Sequence, residues 1–297
     1  MSESSGPTGS FSKGLGQWLG AAEVYGPDGV FLGEGRDTRS VEADDGAGTV
    51  TVNVSFEGPF SMAGQYTIAD RGTHRLYQGP LNYGFAEVLG DGLVCAHNYW
   101  SKLGMSQRFF LMVLPDGTRQ LSLALISRAE VLKYVVVGEY LRQTDETRPA
   151  PLPAARHEGA DEAEMLLRRP GSWVGELTVL DGDLAPIETV EYCESIAQTT
   201  AGLAVSVEGV HFGRDASYSL VTTPTEAWTP TGDVLGSLNM VGGRGQSGYF
   251  LHHREETRVW LREVAALDGT MKGVVQMWYR GEQRIGAMYG ALSFEGA

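Results

Sequence analysis

Four things are scarce in this chain of 297 residues, and each scarcity excludes a class of protein. Cysteine occurs only twice, as Cys95 and Cys193, too few for a disulfide framework or a four-thiolate zinc site. Basic residues are outnumbered: 23 Lys and Arg against 37 Asp and Glu leave a net charge of −14, the opposite of the basic face that a nucleic-acid binder presents. No apolar run approaches the roughly 18 residues of a transmembrane helix, so no membrane partner is expected. Helical periodicity is nearly missing outside one segment near the middle of the chain.

Catalytic signatures are equally sparse. No G-x-S-x-G elbow is present, which removes support for serine hydrolysis. Gly243-Arg244-Gly245-Gln246-Ser247-Gly248 spells the dinucleotide fingerprint, but a strand pattern follows it instead of a helix. It reads as a lid-like glycine loop at a barrel mouth. With no flavin, nicotinamide or metal motif, neither a cofactor nor a metal is expected, and redox chemistry is disfavoured.

What is present is a repeat. Gly16-Gln17-Trp18-Leu19-Gly20 recurs as Gly171-Ser172-Trp173-Val174-Gly175, displaced by 155 residues. Asp28-Gly29 recurs as Asp181-Gly182 at 153, and Asp116-Gly117-Thr118 as Asp268-Gly269-Thr270 at 152. Gly138 matches Gly290, again at 152. Four matches in order point to two copies of one fold. The expected layout is a mobile tail over 1–13, a first domain over 14–142, a linker over 143–170 and a second domain over 171–297. The linker is rich in proline and charge, and 158–169 has the charge order of a short helix, acids first and Arg168 and Arg169 last. The opening residues MSESSGPTGSFSK lack the pattern of a secretory leader, so a cytoplasmic protein with reduced thiols is expected.

Each copy reads as strand after strand. Over 49–56, Val50, Val52, Val54 and Phe56 alternate with Thr51, Asn53 and Ser55. Similar runs cover 108–114, 121–128 and 132–141, then 188–196, 203–212, 249–254, 258–264, 271–279 and 284–294. Asp-Gly and Pro breaks between them signal hairpins. An open sheet of this size would expose two long edges, so closure is expected. The fold class is all-β: two tandem antiparallel barrels of eight or so strands, each just wide enough for its own side chains or one small ligand.

A Gly-x-Trp opening the first strand of an up-and-down barrel resembles the calycins, the superfamily of lipocalins and fatty-acid-binding proteins. That resemblance implies that Trp18 and Trp173 close the barrel floors under a basic residue from a late strand. Lys133 and Arg284 are the candidates by position. Two such barrels in one chain are similar to bacterial double-calycin enzymes, of the carotenoid 1,2-hydratase and natural-product cyclase type. The haem-binding nitrobindin branch also opens this way, but 133–141 and 284–294 contain no histidine, which argues against haem.

Candidate site residues come from strand faces. In Cys95-Ala96-His97-Asn98-Tyr99-Trp100, His97 and Tyr99 share one face, and Asn98 and Trp100 the other. Turned into an apolar lumen, His97 and Tyr99 would serve as acid and base; turned outward they would be solvated. Glu191 shares a face with Cys193, opposite Tyr192 and Glu194; a buried acid there would have a raised pKa and could protonate an alkene or epoxide. His97, Tyr99 and Glu191 are therefore the catalytic candidates. Trp100, Tyr83, Tyr249, His253 and Tyr279 are the ligand-lining candidates, because an aromatic pocket suits a polycyclic guest. Of the neighbours His252 and His253 only one can point inward. Arg258, Trp260 and Arg262 share a face that reads as barrel exterior.

These features lean toward an enzyme without a cofactor. It would fold a hydrophobic polyketide- or terpenoid-like substrate for cyclisation, isomerisation or hydration. The alternative is a non-catalytic carrier of a lipophilic small molecule, and a homodimer is compatible with either.

Overall fold

The computed structural model describes residues 9–44, 48–72, 74–144 and 165–296. The chain divides into two compact units, Met1–His157 and Glu158–Ala297.

The first unit is a closed barrel of ten antiparallel strands: β1 (Gly16–Tyr25), β2 (Phe31–Asp44), β3 (Thr49–Glu57), β4 (Met62–Asp70), β5 (His74–Gln78), β6 (Asn82–Glu87), β7 (Leu93–Trp100), β8 (Met105–Val113), β9 (Arg119–Arg128) and β10 (Val131–Gln143). Each strand pairs with its chain neighbours, and β1 pairs with β10 to close the ring. The second unit repeats this plan: β11 (Gly171–Asp181), β12 (Pro186–Thr199), β13 (Gly202–Glu208), β14 (Ala216–Thr222), β15 (Glu226–Trp228), β16 (Val234–Val241), β17 (Gly245–His252), β18 (Thr257–Ala265), β19 (Met271–Arg280) and β20 (Gln283–Gly296), with β11 closing onto β20.

The alternation in β3 does what its spelling requires: Val50, Val52, Val54 and Phe56 are buried, while Asn53 turns outward to donate from Nδ2 to Ser40 Oγ at 3.0 Å. Of the repeated Asp-Gly turns, the second pair folds alike, whereas Gly29 (φ 79°) has no left-handed counterpart at Gly182, where Leu184 takes that conformation instead (φ 67°). Gly117 and Gly269 take φ of 69° and 68°, a left-handed conformation that glycine adopts freely. Asp116 and Asp268 accept from the backbone N–H of Thr118 and Thr270 at 2.8 and 2.9 Å.

The strand count is ten per barrel, not eight. The additional strands are short, such as β5 and β15 with 5 and 3 residues, below the length at which alternation is readable. Strand β13 stops at Glu208 instead of reaching Phe212, where Gly209 turns the chain at φ 80°. A 3-10 helix, Gly9–Gly14, seats the buried Phe11 beneath the first barrel, and the rest of the expected tail lies outside the described residues. Most of the helix expected over 158–169 lies outside the described residues. Met165–Pro170 is turn, and Met165, Leu166 and Leu167 join the second barrel's core. Among the described residues, no helix is long and apolar enough to cross a membrane.

Trp18 and Trp173 are buried at the starts of β1 and β11. The cations over them are not the expected ones. Arg142 lies 4.6 Å from the Trp18 ring centroid, fixed by donating to the carbonyls of Gly117, Leu15 and Lys13. Lys133 falls at the irregularity between Leu132 and Tyr134, at the opposite end of β10. Over Trp173 stand Arg169 and Lys272, at 5.4 and 5.2 Å. Arg284 instead donates to Gly182 at the other end of that barrel. Connections in a meander alternate ends, so the glycine-rich turn between β16 and β17 lies at the Trp173 end, not at the mouth.

Candidate functional site

The first barrel encloses about 840 Å³ of empty space, part of it open to solvent. Its lining is mostly aliphatic and aromatic, with a small polar set on one wall. That set depends on a glycine. In the β1 register, Gly20 lies between Asp37 of β2 and Tyr140 of β10. A Cβ on Gly20 would stand 2.2 Å from the Tyr140 ring. Its absence lets the ring lie across β1 and reach the neighbouring strand. Tyr140 donates its hydroxyl proton to Asp37 Oδ2 at 3.1 Å and accepts from Ser122 Oγ at 3.3 Å.

Arg39 completes this network. Its Nη2 donates to Asp37 Oδ2 at 2.6 Å and to Tyr140 oxygen at 2.7 Å, and its Nε donates to Asp37 at 3.2 Å. The guanidinium also lies 4.2 Å from the Tyr140 ring and 5.3 Å from that of Phe109. Burial works against its charge, but Asp37 and Tyr140 outweigh burial and raise its pKa above the ordinary arginine value. Burial pushes the Tyr66 hydroxyl up to about 12, against the pull of Arg39. Burial likewise raises Tyr77 and Tyr140. These phenols are neutral donors at physiological pH.

Across the lumen, Trp100 donates from Nε1 to Gln107 Oε1 at 3.0 Å. Beside it, Asn98 is buried and its Oδ1 has no hydrogen-bond partner among the described residues. At the end opposite Trp18, Phe60 in the turn between β3 and β4 stacks between Phe56 and Tyr134, at 4.6 and 4.9 Å.

The second barrel has a smaller lumen of about 460 Å³. The acids Glu194 on β12 and Glu263 on β18 line it, and Lys272 on β19 bridges them; all three are buried. Lys272 Nζ donates to Glu194 Oε2 and to Glu263 Oε1, the latter at 2.8 Å. Gln246 donates to Glu263 Oε2, and Gln276 to the Tyr192 hydroxyl at 3.1 Å.

Of the residues nominated from sequence, Trp100 lines the first lumen. His97 and Tyr99 do not; both are exposed on the outer face, where Tyr99 packs 5.2 Å from Tyr83 and His97 6.0 Å from Phe85. Tyr83 is 55% exposed, which also removes it from the lumen. Glu191, Tyr249 and His253 face outward and are exposed in the second barrel. Tyr279 is half-buried outside the lumen, stacked on Arg258 at 5.1 Å. In each strand the inward set is the neighbouring one: Asn98 and Trp100, Tyr192 and Glu194, Phe250 and His252.

No family model matches the chain, and no curated protein matches it. Among solved structures, a DUF3598-family protein of unknown function from Nostoc punctiforme is similar over 97% of this chain and 98% of its own, with TM-score 0.59 at 13% identity. That likeness establishes a shared fold across both barrels. An S-type phycobiliprotein lyase from Guillardia theta covers 46% of this chain and 92% of its own, with TM-score 0.36 at 7% identity. Kievitone hydratase from Nectria haematococca aligns over 98% of this chain and 92% of its own, with TM-score 0.21 at 8% identity.

Proposed function

We propose that the protein binds a largely apolar small molecule in its first barrel, with a carbonyl or anionic group of the ligand held on Arg39. The observation that carries this reading is the buried Asp37–Arg39–Tyr140 network set into a largely apolar lumen. Apolar concavities with a few convergent polar groups are the usual form of small-molecule sites. Asp37 and Tyr140 engage Nε and Nη2 of Arg39, which leaves the Nη1 edge for a ligand oxygen. Asn98 Oδ1 offers an acceptor to a ligand donor on the far wall. The Gly-x-Trp strand openings, which resemble those of calycins, support the same reading.

A cyclase, isomerase or hydratase acting on a polyketide- or terpenoid-like substrate would use the same lumen. Its acid–base groups would be Asp37 and Tyr140, since His97, Tyr99 and Glu191 stand outside. Burial holds the Tyr140 proton tightly and Asp37 is committed to Arg39, so binding is the reading favoured.

Paired fluorescence titrations test it. An anionic apolar dye, 1-anilinonaphthalene-8-sulfonate, and a neutral one, N-phenyl-1-naphthylamine, should both saturate the wild-type protein. The double variant Asp37→Asn/Arg39→Met removes both buried charges together, which avoids stranding one. It should weaken the anionic dye by about ten-fold or more, the scale of a charged hydrogen bond, and leave the neutral dye unchanged. Absence of saturation, or equal loss for both dyes, would overturn the reading.

A further inference from the structure

We propose that the second barrel holds a separate site for a small protonated amine, seated on Glu194 inside its own lumen. The hydrogen bonds there are unevenly shared. Both oxygens of Glu263 are engaged, Oε1 by Lys272 and Oε2 by Gln246. Glu194 has only Oε2 engaged, by Lys272, and its carboxylate lines the cavity. Two carboxylates therefore share one ammonium, and one oxygen of Glu194 is left unengaged in a side chain that lines the empty space.

One uncompensated negative charge in a buried lumen is costly unless something cancels it. A proton on Glu194 cancels it, and so does a ligand ammonium. The groups facing Glu194 act accordingly. Burial pushes its carboxyl above the ordinary range, Lys272 pulls it back down, and Glu263 pushes it up again. Tyr192 and Tyr218 face the same two carboxylates and keep their protons. An ammonium hydrogen-bonded to Glu194 takes the place of that proton and completes a neutral set of two anions and two cations.

A second observation points independently to a ligand. His252 is 7% exposed and lines the same lumen, yet its ring has no hydrogen-bond partner among the described residues. Its one close ring neighbour is Trp278, at 5.1 Å. Burial lowers its pKa and keeps it neutral, so it offers both a donor and an acceptor to a guest. The remaining wall includes Tyr192, Tyr218, Phe250 and Trp278, whose ring faces favour an organic cation over an inorganic one. The first barrel cannot share this preference. Its wall position paired with Trp18 holds Arg39, whereas the position paired with Trp173 holds Glu194.

Calorimetric titration of the full chain with benzylamine, and with benzyl alcohol as its uncharged analogue, tests the proposal. Benzylamine should bind saturably near neutral pH, about ten-fold or more tighter than the alcohol, as a charge-assisted hydrogen bond requires. Its affinity should fall on acidification, as Glu194 takes up the competing proton. Glu194→Gln should abolish the preference for the amine. Ala216→Leu fills the lumen wall without touching any charge, and should block benzylamine even if Glu194→Gln disturbs folding. Equal binding of alcohol and amine, unchanged benzylamine affinity in Glu194→Gln, or an unchanged preference for the amine over the alcohol in Ala216→Leu would each overturn it. The readouts are differences, amine against alcohol and wild type against each variant, so ligand bound equally in the first barrel cancels and failure here is distinguishable from failure of the reading above.

Discussion

At the scale of single residues, the first lumen rests on a missing side chain. Gly20→Ala would place a methyl group against the Tyr140 ring. The expected cost is about 1–3 kcal/mol, typical of overpacking, read as a lower urea midpoint with weaker anionic-dye binding. Asp37→Ala should be worse than Asp37→Asn/Arg39→Met. It strands a buried guanidinium, at about 3–5 kcal/mol, whereas removing the pair together is close to neutral. A double variant less stable than Asp37→Ala would contradict this. The site was only partly legible at this scale. Asp37-Thr38-Arg39 has the spelling of a solvated strand face, and nothing local marks it as inward. His97 and Tyr99 against Asn98 and Trp100 is a choice of phase, and a shift of one residue exchanges lumen for solvent. Both faces of that strand mix apolar and polar residues, so composition does not decide it. Trp100 was legible because bulk and aromaticity favour the interior on either reading.

At the scale of elements, the two ends of the first barrel have different tasks. The 3-10 helix brings Phe11 under the floor, where Arg75 stacks on it at 5.0 Å. Ser12 and Lys13 then tie the segment to Asp91. Phe11→Ala should cost about 3–5 kcal/mol, as for a core phenylalanine, measurable by denaturant titration. At the far end Phe56, Phe60 and Tyr134 stack, with Phe60 on the turn between β3 and β4, and the expectation is that a guest passes there. Phe60→Ala should speed both entry and exit of the neutral dye in stopped-flow experiments, with little change in equilibrium affinity. A dissociation rate equal to that of wild type would place the entrance elsewhere. Strands and hairpins were the most legible features, since period-2 alternation and Asp-Gly turns are local. The cation over each tryptophan was not, because a bulge at Lys133 and a turn at Arg169 place their side chains by tertiary geometry.

At the scale of the molecule, the two copies keep one frame and differ in their contents. Glu194 holds its proton more tightly when folded than when unfolded. Its contribution to stability is therefore complete below the ordinary value of 4.5 and declines as pH rises through the folded value. Lys272 is also raised, so its contribution persists up to the ordinary 10.5 and fades only in stronger alkali. His252 has the opposite sign: lowered from 6.5, it contributes above that value and loses its contribution on acidification. Comparing wild type with Glu194→Gln cancels the histidine but not Lys272, which Glu194 itself helps to raise. As pH rises above 4.5 the wild type should lose stability relative to the variant, a trend that urea midpoints at several pH values would reveal or refute.

The shared register has one more implication. Trp18 and Trp173 each face a wall residue at the same step of the ladder, Arg39 in one copy and Glu194 in the other. Opposite signs are thus tolerated at a single point of an unchanged cage. The sign of the charge and the pairing of the strands are lodged in different atoms, side chain against backbone, so one can be exchanged at that step without disturbing the other.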